Sequence, residues 1–109
     1  MTWVDDVRLE MTRAEEALHG GNLGKARTSA RRAVGIAVTD WQRKLPDRYY
    51  GPDFVRQLRA LAQDPAIPGE VRDAADRLHA RVSADFTSPS MNPVEDARMI
   101  ISFVLECLQ

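Results

Sequence analysis

A single cysteine, Cys107, in a chain of 109 residues excludes an intrachain disulfide and any metal site built from several thiolates. It suits a reducing compartment, and a cytoplasmic protein is the expectation. Charge of one sign is also scarce in excess: 15 lysines and arginines face 16 aspartates and glutamates, a formal net charge of -1. A surface that grips a polyanion everywhere draws on a strong basic surplus, so only a local patch could bind nucleic acid and RNA is not the favoured partner. No stretch approaches the roughly 20 apolar residues of a membrane span, and the opening Met-Thr-Trp-Val-Asp-Asp puts charges where a signal peptide needs an apolar run. No membrane association is expected. Strand-like alternation, internal repeats and low-complexity tracts are not evident.

Catalytic and cofactor signatures are thin as well. Gly20 to Gly24 contains glycines but follows no strand, so it is no phosphate loop. His19 and His79 are far apart and lack a Cys, Asp or Glu at ligand spacing on a shared face, which argues against a metal. His19 is accounted for by its place at the negative end of a helix. No cofactor is expected.

What is present is helix. The length fits one domain, 1–109, with one modest core. Trp3, Val4, Val7, Met11, Ala14, Ala17 and Leu18 fall on one stripe at about 100° per residue, which predicts a first helix over 3–19, capped by Thr2 or Asp5 and stopped by Gly20 and Gly21. After Asn22 a second helix repeats small or apolar residues at Leu23, Ala26, Ala30, Ala33, Val34, Ala37, Val38, Trp41 and Leu45, and ends before Pro46. Its alanine-lined face admits a close neighbour, so it reads as the central strut of a bundle. The first helix carries five acidic residues against two basic, and the second six basic against Asp40 alone. An antiparallel hairpin whose flanks attract follows, with each exposed pair contributing about 0 to 1 kcal/mol.

Residues 46–53 cannot continue a helix. Phe54, Val55, Leu58 and Leu61 then predict a short helix over about 53–62, and Val71, Ala74, Ala75, Leu78 and Val82 another over about 70–84. The stretch 87–91 breaks the period, and Asn92-Pro93-Val94-Glu95 opens a last helix that runs to Leu108. That segment is the most hydrophobic: Val94, Ala97, Ile101, Val104, Leu105 and Leu108 form one face, and Met99, Ile100, Phe103 and Cys107 most of the opposite one. A helix apolar on two sides must be covered on two sides. Met99, Ile100, Phe103 and Cys107 are therefore the candidate interface of a homodimer. Cys107, among apolar neighbours, is expected to be a buried and inert thiol. The fold class is all-α, an up-and-down bundle of four main helices with a short extra helix between the second and third.

Ala14-Glu15-Glu16-Ala17-Leu18, then Gly21-Asn22-Leu23-Gly24-Lys25-Ala26-Arg27, Ala30-Arg31-Arg32-Ala33-Val34 and the segment Tyr50 to Leu61 resemble the HEPN family of small prokaryotic helical domains. The resemblance covers nearly the whole chain. It implies a four-helix up-and-down bundle, frequent dimerisation, and association with a nucleotidyltransferase or, in some members, metal-independent RNA cleavage. The family's cleavage motif, an arginine followed after four to six residues by a histidine, matches Arg72-Asp73-Ala74-Ala75-Asp76-Arg77-Leu78-His79. Seven positions are two helical turns, so Arg72 and His79 share a side with Asp76 between them. Such a histidine can move the proton of a ribose 2'-hydroxyl while the arginine stabilises phosphate charge. In active members the motif opens the final helix, whereas here it lies on the preceding one. An ordinary surface ladder of Arg72, Asp76 and His79 accounts for the same residues.

Two further clusters carry chemistry. Lys25, Arg32 and Arg43 line one side of the second helix, with Ile36 among them, and suit a partner protein better than a phosphate backbone because no aromatic stands in register for stacking. Tyr49 and Tyr50, with Trp41 and Arg48, could hold a nucleotide or small ligand, though such residues more often close one end of a core. The expected function is a noncatalytic HEPN-like interaction module, a homodimer that also meets a nucleotidyltransferase partner. The alternatives are a toxin-like endoribonuclease using Arg72 and His79, and a small-ligand binder at Tyr49 and Tyr50.

Overall fold

The computed structural model describes residues 2–45, 47–80 and 92–108. Among them every regular element is a helix: α1 (Trp3–His19), α2 (Leu23–Arg43), α3 (Phe54–Gln63), α4 (Gly69–His79) and α5 (Pro93–Cys107). The starts follow from local chemistry. Thr2 and Asp5 close a capping box on α1, Asn22 accepts from the Lys25 amide, Asp53 from Arg56, and Asn92 from Glu95. At the end of α1, Gly21 takes φ 79°, and the Asn22 and Gly21 amides donate back to the Ala17 and Leu18 carbonyls. That is the Schellman closure, which turns the chain into α2 at once.

The central strut is α2. It packs against all four other helices, most extensively α1 and α5. Ala26, Ala30, Ala33 and Ala37 have no exposed surface, so neighbouring backbones come close along that face. The larger core residues come mainly from the partners: Leu58 and Leu61 from α3, Leu78 from α4, Ile100 and Val104 from α5. Gly35 sets the approach of α3, because a Cβ placed there would lie 2.9 Å from the Phe54 Cβ.

Three expectations change. The helix expected over about 70–84 ends at His79, where Ala80 turns extended at ψ 143°; 81–84, and the break expected at 87–91, lie outside the described residues. Its neighbour α3 is not a minor appendage, since α3 and α4 have 10 and 11 residues and pack together as a pair. Finally, the acidic and basic flanks of α1 and α2 do not join. Among the described residues the ion pairs between helices are Arg77–Asp96, from α4 to α5, and Arg98–Glu15, from α5 to α1.

The helix α5 is not two-faced. Met99, Phe103, Ile100, Val104, Ala97, Ile101, Val94 and Leu105 occupy one broad arc in angular order, and α2, α4 and α1 cover most of it. Ile100 is wholly buried inside its own chain, which removes it from any exposed interface, and Phe103 packs edge-on to Trp41 at 5.8 Å. Met99 and Leu105, at the two margins of the arc, keep 38% and 37% of their surface. Cys107 is exposed rather than buried, although Val104 and Leu108 on either side of it reach the core.

Replacing Gly35 with alanine must push α3 away from α2, since the obstructing atom is a Cβ and not a flexible side-chain tip. The Gly35→Ala variant should lose about 1 to 3 kcal/mol in urea denaturation despite its better helix propensity.

Candidate functional site

Arg72 and His79 lie on one helix as the spacing requires, but at opposite ends of it. Two turns of helix separate their backbones by about 10.5 Å along the axis. Arg72 stands at the N-terminal end within the electrostatic reach of Asp64, and its Nε is buried without a hydrogen-bond partner. His79 is in the last turn and lines a groove of about 630 Å³ with Arg31, Arg56, Arg59, Phe54, Val55, Leu58 and Ala80, a set that does not contain Arg72. The ladder through Asp76 is replaced by another pair. Arg77 donates to Asp96 at 2.7 and 3.2 Å, and this hydrogen-bonded contact raises the guanidinium's pKa.

Arg31 does what periodicity could not disclose. From α2 its Nε donates to the Leu78 carbonyl at 2.7 Å, and one terminal nitrogen to the His79 and Ala80 carbonyls at 3.3 and 3.0 Å. These are the unpaired acceptors at the end of α4, so the guanidinium caps that helix from outside. Burial, and then neighbouring Arg27, lower its pKa. The rest of the basic face, Lys25, Arg32 and Arg43, is open to solvent, and Ile36 is half-buried.

The two tyrosines part company. Tyr49 points outward with 72% of its surface exposed, while Tyr50 is buried and stacked on Trp41 at 5.4 Å. Burial first, then its bond to Asp64, push the Tyr50 hydroxyl above its ordinary pKa; that hydroxyl donates to Asp64 at 2.8 Å. Gln42 holds the same connector by accepting from the Tyr50 amide and donating to the Gly51 carbonyl. No shared Tyr49 and Tyr50 pocket results, and Tyr50 closes the core. Cys107, although exposed, has its thiol pKa raised by partial desolvation and by Glu106, so it stays protonated near neutrality.

A second groove, of about 510 Å³, opens between α1, α2 and the start of α3. Trp3, Ile36 and Phe54 supply its apolar walls, and Asp6, Glu10, Asp40 and Asp53 outnumber Arg32 and Arg43 around it. Two of its oxygens, Glu10 Oε2 and Gln57 Oε1, are buried without a donor. Each such acceptor costs about 1 to 3 kcal/mol, and more where it is charged. A third, smaller groove follows the seam of α1 and α5, lined by Trp3, Val4, Val7, Met11, Ile101 and Leu105, with Arg8, Glu15, Arg98 and Ser102 around it.

Among the described residues no three metal-binding side chains gather, and no helix is long and apolar enough to cross a membrane. Compared with known protein families, curated proteins and solved structures, the chain matches none.

The Asp64 carboxyl is held below its ordinary value by the Ala66 amide, then by the Tyr50 hydroxyl, Arg48 and Arg72, against an opposing effect of burial. A carboxyl whose pKa falls on folding stabilises the fold above its ordinary value of 3.8 and loses that effect as pH drops through the folded value. Asp64→Asn should therefore be less stable than the parent at about pH 7, and the gap should narrow in urea titrations below about pH 4.

Proposed function

We propose that this chain is a noncatalytic, HEPN-like interaction module, an up-and-down arrangement of helices that assembles as a homodimer through α5 and presents α2 to a nucleotidyltransferase partner. The carrying observation is the groove along the seam where α1 and α5 meet. Val4, Met11, Ile101 and Leu105 line an apolar groove of about 210 Å³ there, and Leu105 remains exposed at its edge. A second copy laid along this seam covers Leu105, and one that also crosses the outer face of α5 reaches Met99 at the opposite margin of the arc. Arg8 stands at the rim of the groove beside Glu15 and Arg98, which pair with each other within the chain.

The active-site alternative keeps one specific support. His79 shares its groove with Arg31, Arg56 and Arg59, a concentration of positive charge beside a group able to move a proton. Arg72 is not part of that groove, so cleavage would use a different arginine from the one the spacing suggests.

Light scattering tests the assembly. The parent should show twice the 12.2 kDa chain mass, and Leu105→Asp combined with Met99→Asp should return it to one chain with its helix content intact. A parent that stays a single chain on concentration removes the dimer. Incubation with single-stranded and structured RNA should leave both intact; cleavage abolished by His79→Ala would replace the noncatalytic assignment with the nuclease.

A further inference from the structure

The groove between α1, α2 and the start of α3 combines three features that need one another. Gln57 is wholly buried, and its amide orientation is fixed, because Nε2 donates to the Gly51 carbonyl at 3.1 Å and to Thr39 Oγ1 at 2.9 Å. A carbonyl can only accept, so Oε1 must be the atom turned the other way. It lies 3.6 Å from the position a Gly35 Cβ would take, but the Phe54 Cβ lies 2.9 Å from that same position and the oxygen is closed to solvent, so a ligand head reaches it only where Phe54 gives way. Glu10 has a matching need. Its Oε1 takes a hydrogen bond from Arg13 at 3.0 Å, while Oε2 is buried with none, and the side chain keeps 12% exposure through which it can turn.

Acceptors without donors call for a ligand rich in N–H. Asp6 adds negative charge, while Asp40 is paired with Lys44, Asp53 caps α3 beside Arg56, and Arg32 and Arg43 extend into solvent. The walls, Trp3, Ile36 and Phe54, suit a hydrocarbon stem. A bare divalent ion is a poor match, since it wants several converging oxygens and would meet two arginines nearby.

We infer that this groove binds a small organic cation, an alkylguanidinium or alkylammonium compound whose head reaches Glu10 and Gln57 and whose stem lies between Trp3, Ile36 and Phe54. The groove volume, about 510 Å³, falls within the range of small-ligand sites. This groove shares only Trp3 with the α1 and α5 seam, so Glu10, Gln57, Ile36 and Phe54 stay available whether or not the chain dimerises.

Calorimetric titration and thermal unfolding of the full chain with agmatine, putrescine and arginine test it, at ionic strength matched with sodium chloride. Agmatine should bind saturably at one site per chain and raise the melting temperature. Glu10→Gln should weaken that binding by about tenfold or more, since it removes the charge and keeps the shape. Phe54→Ala should weaken it as well, and Leu105→Asp should leave it unchanged. Arginine binding more tightly than agmatine would bring Arg32 and Arg43 in as partners of its carboxylate. No saturable binding by any of the three, a shift reproduced by sodium chloride alone, or an unchanged affinity in a folded Glu10→Gln protein would overturn the assignment.

Discussion

Close approach along α2 is the constraint on which the other helices depend. Four alanines at zero exposure, with buried Ser29 and Gly35, leave much of the inner surface of that helix with almost no side-chain thickness, while Val34, Val38 and Trp41 enter the core beside them. Interhelical distance tracks the side chains at the contact, about 8 to 10 Å, so partners of such a helix sit at the near end of that range. Small residues contribute little hydrophobic energy themselves. They let the leucines, isoleucines and valines of α3, α4 and α5 reach one another around the strut, and burying each of these contributes about 1.5 to 3 kcal/mol. Filling one of the small positions therefore displaces a whole helix rather than one contact.

Polar groups act at the ends of elements, where backbone groups would otherwise lack partners. Arg31 finishes α4, Gln42 and Tyr50 fasten the connector, and Arg77 to Asp96 joins α4 to α5 beside the start of that last helix. These contacts fix where each helix stops and which neighbour it meets. The broader division into an acidic α1 and a basic α2 yields no direct pair between them among the described residues. Register there rests on burial of Val7, Ala14 and Ala17 against the alanine face.

Local rules made the helices legible, because caps, glycines and prolines act over three or four residues and need no tertiary knowledge. Asn22, Asp53 and Asn92 each cap where their sequence context says they should. The helical wheel of α5 was open to error for a different reason. Met99, Ile100, Phe103 and Cys107 fall on a second face of the wheel, but an arc that wide is enclosed by three neighbours at once where α1, α2 and α4 pack on it. The site residues fared less evenly. Spacing placed Arg72 and His79 on one side of a helix and could say nothing of Asp64 or Arg31, which come from elsewhere and decide their surroundings. Gln57 had no signal at all, since a glutamine among charged and apolar residues reads as surface until Thr39 and Gly51 are seen to enclose it.

The guanidinium of Arg31 shapes more than the end of one helix. It spans three consecutive carbonyls with a planar fork, a geometry that a lysine's rotating ammonium does not reproduce. Positive charge is thereby committed to the inside edge of the groove that His79 lines, and any negatively charged visitor there would find this guanidinium already occupied. The chain has in effect committed this half-buried arginine to architecture, leaving Arg56 and Arg59 on the exposed edge to meet whatever comes from solution.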